Sequence, residues 1–396
     1  LAILASGCGG SGETGAAAMA PPDATITLDT HIDIPLDFAT AAVDPLTGDL
    51  QVNLAKMVAG GLDAGFFIVY VGQAARTDES YERAKADALT KFAAIHRMAE
   101  QLYPQRIEIA YRAADVARIA GEGKLVAAIG IENGFVLGRE LEMLERYYEL
   151  GARYLSLVHD GDNDLARSAR PKPELGDPAD STDGVSALGA EAIARMNRLG
   201  LMVDVSHGSK ETALEAMRLS AAPVIASHSG IAGVNTHPRN MDDETLRALR
   251  ADGGVVQVVA YDAYLKHQPE EQIAALRVLR EQVGLTSGPP SALPADRRAL
   301  YEEGLRDIQA RWPRATVADL VDHIDHAVKL IGVDHVGISS DFGGGGGVTG
   351  WNDAAETTNV TTELEARGYS REDIAKIWSG NLLRVWRAAE QAAAER

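Results

Sequence analysis

The sequence predicts an α/β fold, a (β/α)8 barrel, and three observations carry that prediction. Short apolar runs alternate with longer amphipathic stretches along nearly the whole chain, the signature of parallel strands joined by crossover helices. The strand candidates are near-continuous apolar runs, as strands buried on both faces are. Eight such runs fit a closed barrel, and 396 residues suffice for one with insertions.

The eight candidates are residues 25–29, 65–71, 125–131, 153–158, 201–206, 224–227, 254–260 and 335–340. Helices are expected over 81–102, 185–199 (with Ser186 and Asp183 available as caps), 242–250 and 317–331. Residues 170–182, with Pro171, Pro173 and Pro178, read as a loop. Residues 261–313, between strands seven and eight, are long, polar and broken by Gly288-Pro289-Pro290, so a helical insertion or lid is expected there.

Composition narrows the function. Apolar residues make up 46% of the chain, enough for a large core. The formal net charge of −19 argues against nucleic acid or an anionic membrane surface as partner, since both need a basic face. Cys8 is the single cysteine, which excludes an intrachain disulfide and a cysteine-rich zinc site. Any metal must then be held by histidine and carboxylate.

Cys8 follows Ala5-Ser6-Gly7 and an apolar start, a pattern resembling a bacterial lipobox, although Ala5 stands where Leu is usual. Residues 9–22, rich in Gly, Ala, Ser and Pro, read as a flexible tether. The expectation is a signal remnant and tether over 1–22 and one barrel domain over 23–396, lipid-anchored at Cys8 in the bacterial periplasm. An incidental apolar start is the plainer alternative.

The chemistry is written at the strand ends. Strand one runs into His31-Ile32-Asp33; strands three to eight end at Glu132, His159, His207, His228, Tyr261 and Asp341. Barrel active sites lie at the C-terminal ends of the strands, and unrelated packing histidines would not line up there. Taken singly each signal is weak. His-x-Asp occurs by chance, a carboxylate such as Glu132 can end a strand in solvent, and a lone histidine is more often structural. Together they point to a metal site. His31 and Asp33 share one face of an extended segment and can grip one ion. His207 and His228 end consecutive strands and can hold a second. Glu132, with two oxygens, can bridge the pair, which at roughly 3.5–4 Å apart would polarise a carbonyl and generate hydroxide at neutral pH. Asp341 is the remaining rim carboxylate and a candidate proton shuttle. His96, His267, His323 and His326 read as helix surface or packing residues, His335 lies at the opposite strand end, and His237 ranks below His228.

These residues resemble the membrane (renal) dipeptidase family, peptidase family M19 of the amidohydrolase-like barrels, over about residues 25–386. The resemblance rests on Leu28-Asp29-Thr30-His31-Ile32-Asp33, Ile131-Glu132-Asn133-Gly134, Tyr154-Leu155-Ser156-Leu157-Val158-His159, the run from Asp204 to Gly230, and His335 to Phe342. It implies a metallo-dependent hydrolase barrel with two Zn2+ ions, bridged by Glu132 and a hydroxide rather than by a carboxylated lysine. It implies dipeptide hydrolysis, L,D as well as L,L, with attack by that hydroxide. His159 would bind substrate and stabilise the tetrahedral intermediate, Arg239 would hold the free carboxylate, and Asp341 would be the acid/base. Tyr261 is placed with the substrate-binding residues, and a homodimer is expected. The alternatives are an N-acyl-amino-acid, β-lactam or lactone hydrolase on the same barrel, or a lipid-anchored inactive binding homologue. The chain departs from the family at Asp341-Phe342-Gly343-Gly344, where many relatives have a second aspartate, and at residues 160–164; both bear on the substrate pocket.

Overall fold

The computed structural model describes residues 25–285 and 293–395. The tether, Cys8 and Gly288-Pro289-Pro290 lie outside the described residues. Ten strands form the sheet: β1 (Leu28–Asp33), β2 (Ala64–Tyr70), β3 (Ile107–Ile109), β4 (Leu125–Glu132), β5 (Ala152–Ser156), β6 (Met202–Asp204), β7 (Ile225–Ile231), β8 (Asn240–Met241), β9 (Val255–Val259) and β10 (Val336–Ser339). Eight of them run side by side in the order β1-β2-β4-β5-β6-β7-β9-β10, all parallel. These are the eight expected strands, with boundaries moved by a few residues. The short strands β3 and β8, beside β4 and β7, were not foreseen.

Between β10 and β1 the barrel closes differently. Asp33 N–H donates to Phe342 C=O at 2.7 Å. Below that contact the seam is held by the Asp29 carboxylate, which accepts from the Ser340 N–H (2.9 Å) and from the Ser340 hydroxyl. The buried carboxylate thus replaces a backbone ladder, and its burial pushes its pKa up to about 6.

Strand alternation separates two apolar layers. Phe66, Ile68, Val126, Ala128, Tyr154 and Met202 cluster with Trp386 of the C-terminal helix Asn381–Ala394. The intervening Phe67, Val69, Ala127, Ile129 and Val203 pack in the larger cluster with the surrounding helices. On β4 the positions that bury Val126 and Ala128 lead, two residues at a time, through Gly130 to Glu132. Gly130 is required there: any Cβ would collide with the Tyr154 ring at under 3.0 Å.

The helices follow their caps. Ser186 caps Ala187–Leu199 by accepting from Gly189 N–H, and Asp242 caps Asp243–Asp252 through Thr245 N–H. Thr316 and Asp319 form a capping box on Val317–Ile331, and that helix has its expected bounds. The stretch expected over 81–102 is an α-helix, Asp78–His96, continued by a π-helical turn, Arg97–Leu102. The insertion after β9 contains helices Asp262–Leu265, Glu270–Gln282 and Ala295–Arg311, and Leu279, Val283, Leu285, Leu293 and Tyr301 give it a small core of its own.

Candidate metal centre

Strand ends bring the predicted residues together. His31 and Asp33 are the last residues of β1 itself, because the strand starts later than expected and shifts register between Asp29 and Ile32. Glu132 ends β4 and His228 lies within β7. His159, His207 and Asp341 follow β5, β6 and β10. His207 and Asp341 take left-handed backbone, with φ of 66° and 58°, uncommon for residues with side chains and frequent at functional sites.

Glu132 is the hub. Its Oε1 lies 3.1 Å from His207 Nε2, 3.2 Å from His228 Nε2 and 3.7 Å from His159 Nε2. Its Oε2 lies 3.5 Å from His31 Nε2, which is also 3.5 Å from Asp33 Oδ2 and 3.9 Å from Asp341 Oδ1. The two oxygens therefore face different histidines. Three overlapping groups could each hold an ion: His31, Glu132 and His228; Glu132, His159 and His207; and His31, Asp33 and Asp341.

The donor set fits a metal, and the outer nitrogens show why. Tyr154 Oη donates to Thr30 C=O, so at 3.0 Å from His31 Nδ1 it accepts that N–H. His207 Nδ1 faces Asp160 Oδ1 at 3.1 Å, and a carboxylate can only accept. Ser227 Oγ donates to Asp204 Oδ2 (2.6 Å) and accepts from His228 Nδ1 (2.9 Å). Each ring thus carries its proton on the outer nitrogen, which leaves the Nε2 lone pair directed at the hub. His31 Nε2 is buried with no hydrogen-bond partner, an orphan that a cation would satisfy. The Nε2 atoms of His207 and His228 lie only 2.9 Å apart. Two lone pairs at that separation repel unless a cation lies between them.

Electrostatics follow from this crowding. Burial works against every charge here, yet the neighbouring carboxylates, Glu132 foremost, raise His31 well above its usual value; the negative field that draws a proton to Nε2 is the field that would draw a metal cation to the same lone pair. Surrounding histidines, His31 first, hold Glu132 well below the usual carboxylate range despite its burial. Burial, aided by Asp33 and Glu132, raises the Asp341 carboxyl well above that range. Burial and His207 push His159 down to about 3, so its ring is neutral. His159 Nδ1 has no hydrogen-bond partner, and the ring is instead packed between His207 (4.0 Å) and Tyr70 (4.8 Å).

Arg239 is buried beside the cluster. Its Nη2 donates to His228 C=O at 3.1 Å, its Nε is unpartnered, and its guanidinium lies 5.4 Å from the Tyr264 ring centre. Tyr261 stacks on Tyr264 at 4.3 Å, and His237 lies 4.6 Å from the same ring. The other histidines are engaged elsewhere. His323 is fully buried between Ile231 N–H and Leu265 C=O, His326 pairs with Asp243, and His96 with Glu100. His335 holds Gly254 C=O at the far strand end, and His267 is exposed.

Sequence reasoning missed the anchors: Tyr154, Asp160, Ser227 and Asp204, and the Tyr70–Lys91 pair. Lys91 is 6% exposed and lies 5.5 Å from the Tyr70 ring centre. Asp160, next to His159, and Ser227, next to His228, sat beside residues already singled out.

A parallel barrel with a histidine and carboxylate cluster on its C-terminal rim defines a metal-dependent hydrolase. The chain belongs to the membrane dipeptidase family, peptidase family M19, whose sequence profile matches residues 20–396. It is an enzyme, a dipeptidase of that metallopeptidase family. It is 30% identical over 349 residues to the dipeptidase tcpJ of Claviceps purpurea, covering 87% of this chain and 70% of that one. It is similar to the crystal structure of the probable dipeptidase PvdM from Pseudomonas aeruginosa, with a TM-score of 0.82 and 34% identity, covering 94% of this chain and 97% of that one. A Rhodobacter sphaeroides metallopeptidase, solved with a phosphinate mimic of the dipeptide L-Ala-D-Ala, shares the fold at a TM-score of 0.70 and 22% identity, covering 92% of this chain and all (100%) of that one.

Proposed function

We propose that this chain is a binuclear zinc dipeptidase that cleaves dipeptides carrying a free C-terminal carboxylate, with either configuration at the C-terminal residue. The observation that carries the reading is the outward anchoring of His31, His207 and His228, which turns three lone pairs onto the two oxygens of Glu132. His31 and Asp33 would hold one cation, His207 and His228 the other, with Glu132 shared. Bound there, the cations would supply Lewis-acid polarisation of the scissile carbonyl and a water of lowered pKa. Zinc suits an all-nitrogen-and-oxygen donor set of this kind.

The chain's own groups do the rest. With the cations offsetting the negative charge of Asp33 and Glu132 that raises it, Asp341, 3.9 Å from His31 Nε2, would accept the proton of the attacking water and return it to the leaving amine. His159, neutral, donates a hydrogen bond to the oxygen that becomes negative as the carbonyl turns tetrahedral. Arg239 pairs with the terminal carboxylate, and its unpartnered Nε is available for it. The Tyr261–Tyr264 stack forms the adjoining wall. The dipeptide-like ligand of the Rhodobacter sphaeroides structure supports including L,D substrates.

The test is a dipeptide panel, L,L and L,D, on protein of known metal content. The expected result is turnover of dipeptides above N-acetyl-amino acids, with two zinc ions per chain. Faster turnover of N-acyl-amino acids, lactones or β-lactams would select the neighbouring chemistry, and no turnover with less than one zinc per chain would make the protein a binding homologue. We further propose the lipid anchor on Cys8, a periplasmic location and a homodimer; mass analysis of Cys8, membrane fractionation and solution mass test them. Among the described residues no helix is long and apolar enough to cross a membrane.

A further inference from the structure

Two arginines are tied to consecutive rim histidines. Arg239 is bonded to the His228 carbonyl. Arg170 belongs to the segment laid against His207: Ala169 N–H donates to His207 C=O at 2.8 Å. The backbone of Arg170 is pinned on both sides. Its carbonyl accepts from Gly161 N–H (2.8 Å), and its N–H donates to Ser168 Oγ (3.0 Å). The loop around it is fastened further, because Asp177 Oδ2 accepts from both Asp162 N–H and Lys172 N–H at 2.8 Å.

The side chain is braced on one edge only. Arg170 Nη1 lies 3.1 Å from Asp160 Oδ2, while Asp160 Oδ1 accepts from His207. The side chain is 51% exposed, and among the described residues it has no second ion pair. A guanidinium presents five donors in a planar fork, so an edge remains for a ligand. In the same segment Arg167 is already paired, with Asp162 at 3.0 Å. Both arginines act on His237, which burial, Arg170 and Arg239 together push down to about 4. The imidazole beside them is therefore neutral, and Asp160, the carboxylate nearest Arg170, is already shared between His207 and Arg170.

We propose that Arg170 receives the side-chain carboxylate of the dipeptide's C-terminal residue, so that the preferred substrates end in aspartate or glutamate. The inference rests on the dipeptidase reading, in which Arg239 holds the α-carboxylate. A half-exposed ion pair gives modest discrimination, about fivefold in kcat/KM for an acid over its amide.

The experiment compares kcat/KM for Ala-Glu with Ala-Gln, Ala-Asp with Ala-Asn and Glu-Ala with Gln-Ala, in both C-terminal configurations, on the zinc-loaded full chain. Inhibition by phosphinate dipeptide mimics ending in Glu or Gln gives a readout independent of turnover. The expected result is an acid-to-amide ratio of about five at the C-terminal residue and about one at the N-terminal residue. In Arg170→Met the C-terminal ratio falls to about one, and in Arg170→Lys part of it remains. The ratio is unaffected by any loss of folded enzyme. A wild-type ratio near one, a ratio that survives Arg170→Met, or a preference at the N-terminal residue overturns the proposal. Zinc-loaded protein that cleaves neutral and acidic dipeptides equally defeats this inference alone, whereas protein that cleaves none defeats the dipeptidase reading beneath it.

Discussion

Gly344 stands where the site has no room for a methyl group. A Cβ there would lie 2.5 Å from Asp341 Oδ1 and inside 3.0 Å of Asp33 Oδ2. Ordinary contact begins near 3.4 Å, so in Gly344→Ala both carboxylates must retreat by about 1 Å. The backbone of Gly344 is not left-handed, unlike that of Gly343 and Gly345, so alanine meets no conformational strain. The perturbation is therefore steric and confined to one proposed ligand and the proposed acid/base. A misplacement of about 1 Å at reacting groups costs on the order of 100-fold in rate. The expected outcome is a loss of kcat/KM of that size with the melting temperature nearly unchanged. Dipeptide kinetics, metal analysis and a thermal melt on the same preparation measure it. Gly344→Ala that keeps its activity within threefold of wild type would refute the reasoning, as would a collapse in melting temperature that accounts for the lost rate.

Three further outcomes are expected. Asp341→Asn should abolish turnover while zinc content stays near normal; loss of zinc would make Asp341 a ligand instead. Ser227→Ala cuts the link from Asp204 to His228 and should weaken metal affinity by about 10–100-fold, read by competition with a chelator. Far from the site, burial raises Asp252 to about 6, so its proton is held more tightly in the folded state. The stability tied to that proton is present below about pH 4 and is lost as pH rises to about 6. Asp252→Asn should flatten that decline by about 1–2 kcal/mol, after discounting for solvent contact, in denaturation measured at pH 4 and pH 7.

Much of this architecture was legible because strands buried on both faces leave long apolar runs, and polar residues closing them stand out. Glu132 after seven apolar or glycine residues is the clearest case. Boundaries failed where chemistry intrudes on the strand. Ser227-His228-Ser229-Gly230 reads as a strand end, yet these polar residues are buried and paired within β7, with Ser229 opposite Val258. The site's outer anchors were illegible for a different reason. Tyr154 sits mid-strand in an apolar run, and nothing local distinguishes a tyrosine that fills the barrel from one whose hydroxyl also reaches His31. Arg170 was read only as part of a proline-rich loop, because its partners Gly161 and Asp160 meet it only through the fold.

The seam between β10 and β1 has a consequence for the order of events in the cell. His31 and Asp33 lie near the start of the chain, while the contact that closes the barrel beside them comes from Phe342, hundreds of residues later. During synthesis the first two ligands emerge long before the residue that closes the barrel beside them. All five proposed ligands have emerged by His228, but the strands that hold them on one rim are complete only at β10, so a nascent chain offers a passing cation the ligands without their final geometry. Firm capture of the pair is then a finishing step, completed when β10 and Phe342 close the barrel beside His31 and Asp33.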